Sequence, residues 1–268
     1  MVGAGLVRLG GDLIRYNHML RSLAWREVSS MYVGSFLGFI WTFIQPAVMI
    51  LVFWFVFSVG FKAKPLNDVP FVIWLTAGMA PWFVFSGIIT ACSTVIIQYA
   101  HIIKKTVFPS QILVVVKILS NMVAHGAFLL LLIVLILCNG MPFSLYYFQV
   151  FYYLLCLIVL ASGVGWLISS LNVYARDVGQ LVPVVIQVGF WVTPIFWDIT
   201  IMPKNIQFWL KLNPVCYIVQ GYRDSFINFV PFWEHGAYTV YFWVFSLLML
   251  LTGGWVFRRL KPQFVDVL

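Results

Sequence analysis

Five stretches of this chain contain no Asp, Glu, Lys or Arg: 28–61, 69–103, 118–175, 178–197 and 235–257. Each is long enough to cross a bilayer as a helix, which takes about 20 predominantly apolar residues. With 63% apolar and 9% charged residues, the composition departs far from the roughly half apolar and quarter charged of a soluble domain. A soluble fold is excluded, and the expectation is an all-α polytopic membrane protein. Its 268 residues are consumed by spans and short connections, so no appended soluble domain is expected, and 1–268 reads as one transmembrane unit.

Turn signals divide the uncharged runs into six predicted spans, 36–60, 70–97, 111–137, 147–171, 178–197 and 237–257. The long run splits at Asn139-Gly140-Met141-Pro142, where Gly and Pro break the helix into an apolar hairpin. With both ends inside, the inner segments carry Arg8, Arg15, Arg21, Arg26, Lys104, Lys105, Arg176, Arg258, Arg259 and Lys261. The outer ones carry Lys62, Lys64, Lys204, Lys211 and Arg223. Lys117 falls near the inner end of a span. That asymmetry obeys the positive-inside rule and places both termini in the cytoplasm. It also explains a net charge of +8 without nucleic acid as a partner.

Residues 1–35 lack the uninterrupted apolar core of a cleavable signal peptide. Leu9, Leu13, Tyr16, Leu20 and Leu23 share one helical face of residues 8–31, opposite Arg8, Asp12, Arg15, Ser22, Arg26 and Ser29. This predicts an amphipathic helix at the inner membrane surface, serving as lipid anchor or partner contact. Spans one to five occupy 36–197, and 235–268 holds the sixth span and a cytoplasmic tail. Between them, 198–234 is aromatic yet carries Asp198, Lys204, Lys211, Arg223, Asp224 and Glu234. A seventh span would put those charges in hydrocarbon. Two re-entrant helices broken at Asn213-Pro214 fit better, lying against a pathway rather than lipid.

The chain has no GxxxxGK[ST] phosphate loop, no HExxH, no GxSxG and no Cys/His metal spacing, so catalysis and a metal site are not expected. Cys92, Cys138, Cys156 and Cys216 read as packing residues. No predicted span holds an acidic residue in its interior, which disfavours ion-coupled transport. Lys117, Asn121 and His125 recur every fourth residue and share a helix face. That stripe reads either as a conduit lining or as a snorkelling lysine with two interhelical hydrogen bonders. Gly34, Gly38, Gly163, Gly165, Gly253 and Gly254 suggest close helix approach. Aromatics make up 18% of the chain. Trp41, Phe190, Trp191, Trp197, Trp209, Tyr217 and Tyr222 lie away from span ends or in the broken segment, where a file of rings suits the C–H face of a sugar.

Three blocks carry a family resemblance that covers nearly the whole chain. The first runs from Trp25-Arg26-Glu27 through Tyr32-Val33-Gly34-Ser35-Phe36-Leu37-Gly38 to Trp41 and Gln45-Pro46. The second is Ile103-Lys104-Lys105-Thr106-Val107-Phe108-Pro109. The third runs from Arg176-Asp177-Val178 through Phe190-Trp191-Val192-Thr193-Pro194-Ile195-Phe196 to Asn213-Pro214 and Tyr222-Arg223. The chain resembles the membrane subunit of ABC-2 type exporters, in the branch exporting polysaccharides such as O-antigen, capsule or teichoic acid.

The resemblance implies a half-channel in the bacterial inner membrane that forms a homodimer and joins two copies of a cytoplasmic ABC ATPase. ATP and Mg would bind that partner, with no cofactor in this chain. It further implies ATPase coupling through Lys104, Lys105, Val107, Phe108 and Pro109 with Arg26 and Glu27. Arg8, Arg15 and Arg26 would receive the phosphate of a lipid-linked glycan, and Trp41, Phe190, Trp191, Trp197, Tyr217 and Tyr222 would line its channel. Two alternatives stand beside it: a drug or lipid exporter of the same superfamily, and a polytopic membrane transferase.

Overall fold

The computed structural model describes residues 11, 15–62, 69–105 and 108–268. Arg8, Asp12, Lys64, Thr106 and Val107 lie outside the described residues. Those described are predominantly helical and contain no strand. A bilayer offers no water to the backbone, and a helix satisfies its own amides.

The first helix whose range is described, α1 (Asn17–Ser30), buries Leu20, Ala24 and Val28, one residue per turn along a single face. Leu20 and Ala24 pack on Val116, so this stripe is covered by protein. Residues 38–60 form the first membrane-length unit, whose central helix is α2 (Trp41–Trp54). Its buried Thr42, Pro46 and Ile50 face inward at the same four-residue interval. Next come α3 (Phe71–Gln98), the short α4 (Ala100–Lys105) and α5 (Ile112–Cys138). Gly140, at φ +66°, turns the chain after α5 as its breaker sequence predicts. Then follow α6 (Val150–Tyr174) and α7 (Asp177–Val192).

Among the described residues, five helical units are long and apolar enough to cross a membrane, and α7, with 16 residues, is shorter. At 1.5 Å per residue it spans about 24 Å. The expected span 178–197 stops early because Thr193 precedes Pro194. The proline ring disfavours the α conformation at the residue before it, and Thr193 is extended at ψ 134°.

The segment 198–234 holds two short helices, α8 (Lys204–Lys211) and α9 (Pro214–Arg223), broken where Asn213-Pro214 predicts. Asn213 caps α9 by accepting from Val215 N at 3.0 Å, and Pro214 takes the first turn, where its missing N–H costs nothing. Most of α9 is buried, packed against α3, α6 and the last long helix, α10 (Gly236–Leu260). It is thus a core element of the chain. A terminal turn, α11 (Phe264–Val267), closes the structure.

The firmest helix pairing is α6 with α10. A Cβ on Gly163 would stand 2.5 Å from Leu250 N, and one on Gly253 would strike the Gly163 carbonyl. The glycine signal therefore marks real backbone approach here. Gly34 and Gly38 differ: a Cβ on either would meet nothing within 4 Å, and their φ angles are +79° and +52°. They serve a left-handed turn before α2 that residues with a Cβ rarely adopt.

Candidate functional site

Two regions hold the residues singled out by sequence. One is the end of the bundle bearing α1, α4 and the C-terminal turn. There Glu27 on α1 accepts a hydrogen bond from Lys117 Nζ on α5 at 2.6 Å and from the Tyr99 hydroxyl at 2.5 Å. Burial by itself raises the Glu27 carboxyl's pKa, but the Lys117 ammonium and the Tyr99 hydroxyl outweigh it and hold the group below its ordinary value. Lys117 is 6% exposed, so it neither snorkels nor lines a conduit. It is the anchor that holds α1 to α5. The lysine was visible in the sequence, but a partner 90 positions away was not.

The other two members of that stripe also turn inward. Asn121 donates to the Lys117 carbonyl at 2.8 Å, and its Oδ1 occupies space that a Cβ on Gly87 would enter. His125 Nε2 meets the Tyr222 hydroxyl at 2.9 Å, an interhelical bond as expected.

Lys104 and Lys105 are exposed at the end of α4, with Phe108 and Pro109 half-buried. Together with Ser110, Arg258, Lys261, Pro262 and Phe264, Lys104, Lys105 and Phe108 line a cleft of about 530 Å³. Sequence reading gave no reason to join the C-terminal tail to this segment. Its fastening is tertiary: Lys261 Nζ donates to Gln111 Oε1 at 2.6 Å, and the Tyr174 hydroxyl to the Leu260 carbonyl at 3.0 Å. Phe264 is buried edge-on to Phe257 at 5.4 Å. Arg26 is exposed, its guanidinium 5.9 Å from the Tyr99 ring centre. Arg15 is also exposed and lies over Tyr16.

The second region is aromatic, at the far ends of α2 and α7. Phe196 stacks on Phe57 at 5.0 Å and meets Phe53 at 4.7 Å, Phe190 at 4.8 Å and Trp191 at 5.5 Å. Trp191 is 56% exposed; Trp41, 45% exposed, is the first residue of α2 and stands at the opposite end of that helix from this cluster. Phe190 and Trp197 are half-buried, the latter donating from its indole to the Trp191 carbonyl at 3.3 Å. Trp209 on α8 is exposed. Tyr217 and Tyr222 are 1% and 0% exposed, enclosed by this chain's own helices, and offer no open face here. Sequence reading missed Phe53 and Phe57 because a phenylalanine in an apolar span looks the same toward lipid as toward a neighbouring ring.

Arg223 ties this aromatic end to the core. It is buried rather than one of the exposed outer charges, with Nη1 donating to the Pro194 carbonyl and Nη2 to that of Ile195, both at 2.8 Å. Its guanidinium lies 3.5 Å from the Trp74 ring centre, and Gly78 leaves the room, since a Cβ there would stand 2.7 Å from Nη2. Carbonyl oxygens and a π face together compensate a charge that would be costly alone. Next to it, buried Asp224 accepts from Gln220 and Asn228 at 2.9 and 2.8 Å and pairs with His235 at 2.8 Å. At the opposite end Asn172 donates to the Ser93 carbonyl and accepts from Gly179 N, both at 2.7 Å. It joins α3, α6 and α7, and no sequence pattern pointed to it.

These two regions can accept a mechanical input at one end and present rings at the other. The profile of the ABC-2 type transporter family matches residues 18–227. The chain is 26% identical to an O-antigen export system permease protein, RfbA, of Klebsiella pneumoniae, over 91% of this chain and 92% of that protein. It is 28% identical to the RfbA permease of Myxococcus xanthus, over 82% and 85% of the two chains. To the polysialic acid transport protein KpsM of Escherichia coli it is 19% identical, over 89% and 92%.

Proposed function

The chain belongs to the ABC-2 type transporter family, and from that premise we propose that it is the permease subunit of an ATP-driven exporter moving lipid-linked polysaccharide out of the cytoplasm. The polymer is of the O-antigen, capsular or teichoic-acid type. The observation that carries this reading is likeness along nine tenths of the chain to permeases named for O-antigen export. The exposed rings on α2 and α7 add physical support: aromatic planes hold the C–H face of a sugar without fixing it through strong hydrogen bonds.

In this reading α7 completes a sixth crossing with the chain 193–197, α8 and α9 form the re-entrant pair, and both termini lie in the cytoplasm of a bacterium. Two copies of the chain enclose the path, each joined to a cytoplasmic ATPase subunit that binds ATP and Mg. Closure of the ATPase presses on Lys104, Lys105, Phe108 and Pro109 and on Arg26 of α1. Glu27 passes the displacement to α5 through Lys117, because a paired, hydrogen-bonded carboxylate resists separation. The response is a shift between two packings of α2, α3 and α7. Arg15 and Arg26 attract the lipid phosphate at the inner surface, and Trp41, Phe190, Trp191 and Trp197 guide the glycan outward.

The test is export itself. Lys105→Glu reverses a charge on the exposed coupling segment, and Phe108→Ala removes its apolar contact. Each is expected to lower ATP-dependent surface glycan by about tenfold, equivalent to about 1.4 kcal/mol of coupling, at unchanged protein level in the membrane. Unaltered export would remove the coupling assignment, and glycan translocation by the purified chain alone in liposomes would remove the reading that a separate ATPase drives it.

A further inference from the structure

The cleft between α4 and the C-terminal tail has properties that a contact for the ATPase does not require. Among the described residues four cations line it, Lys104, Lys105, Arg258 and Lys261, and none of the described lining residues is acidic. Arg258 is tied through Nε to the Gly254 carbonyl at 3.0 Å, which fixes the stem of the guanidinium without using its two terminal nitrogens. Ser110, 1% exposed, also lines the cleft, and its Oγ has no hydrogen-bond partner among the described residues. A buried hydroxyl left unpaired costs free energy that a bound acceptor restores. The rest of the lining is apolar, including Phe108 and Phe264, and two membrane-length helical units end beside it, 71–105 and 232–267.

We propose that this cleft binds the phosphodiester headgroup of an anionic phospholipid from the cytoplasmic leaflet. The cations hold the phosphate, Ser110 donates its hydroxyl proton to a phosphate oxygen, and the glycerol end lies on the two phenylalanines. Basic pockets between membrane helices at this depth suit such headgroups, because the phosphate is desolvated against fixed donors while its acyl chains stay in hydrocarbon. The bound lipid staples the C-terminal tail to the coupling segment, so that α4 and α11 move as one piece. The inference rests on the inner-face placement of this end, which reporters fused to the termini check independently, and it stands whatever the transported cargo.

The experiment uses the full chain, purified and returned to nanodiscs of phosphatidylglycerol mixed with phosphatidylcholine, with co-ejected lipid read by native mass spectrometry. Phosphatidylglycerol is expected to be retained over phosphatidylcholine. The preference should fall by about fivefold for each charge removed in Lys104→Gln and Arg258→Gln, and by a smaller factor in Ser110→Ala. The exposed pair Lys204→Gln and Lys211→Gln, at the other end, should leave it unchanged. Equal retention of the two lipids overturns the proposal, as does an equal loss from the distal pair. Displacement by millimolar inorganic phosphate overturns the lipid source in favour of a free anion.

Discussion

The helical unit 71–105 and the unit 38–60 are both apolar enough to cross a membrane, and the second is the more apolar of the two. Their surroundings are opposite: 67% of the most apolar stretch of 71–105 is buried within the chain, against 11% for 38–60. The central helix α3 is sheathed by α5, α6, α7 and α9, whereas α2 and α7 leave Leu51, Val52, Val184, Val185, Val188 and Trp191 uncovered. In water such a surface would collapse onto the core; in lipid it need not, since acyl chains are as apolar as leucine. Apolarity therefore tells which residues leave water, and not whether protein or lipid replaces it.

Substitutions in the two regions separate those cases. The largest effect is expected for Gly253→Val, whose side chain must enter the Gly163 backbone. It should cost about 3 kcal/mol, typical of overpacking a rigid contact, and appear as a large drop in the detergent melting temperature. Leu51→Ala on the uncovered face should change that temperature by an amount equivalent to under about 0.5 kcal/mol. A comparable fall would show that α2 is packed more tightly than its exposure implies.

Glu27→Gln should weaken the attachment of α1 by about 2 kcal/mol, less than for a fully buried pair because the carboxylate keeps some contact with water. Adding Lys117→Met should restore part of the loss, which a double-mutant cycle reads directly. Because the Glu27 carboxyl is held below its ordinary value of 4.5, its contribution is complete above that pH and is lost as pH falls through the lower, folded value. Protection factors of the α1 amides, which correct for the intrinsic pH dependence of exchange, should therefore stay flat from pH 7 down to about 4.5 and fall only below it. Loss of protection near neutrality would contradict the pairing.

The smallest expected effect on stability, under about 0.5 kcal/mol, is that of Trp191→Ala, which should nonetheless lower export severalfold if its exposed ring meets the glycan. Equal losses of stability and export would make it a packing residue.

Much of this molecule was legible before any coordinates. The break at Asn139–Pro142 and the split at Asn213-Pro214 follow from local chemistry, since capping and ring closure act within a few residues; of the expected apolar face of α1 only Leu20 belongs to the buried stripe, with Ala24 and Val28 instead, and Leu9 and Leu13 lie outside the described residues. The early end of α7 was legible too, in the Thr193-Pro194 pair, although the uncharged run alone extended the span to residue 197. Which aromatic rings are open was not legible: exposed Trp41 and Trp191 read the same in the sequence as enclosed Tyr217 and Tyr222.

The sequence alone settled that the chain is helical, that it belongs in a bilayer and which family motifs it carries, because hydropathy, turn residues and charge spacing are local properties. Only the tertiary structure decided that Lys117 is answered by Glu27, that Arg223 is sunk among carbonyls and a tryptophan, and that the C-terminal tail lies beside Lys104. A buried charge is stable only where distant residues surround it, and that geometry exists only once the helices have packed.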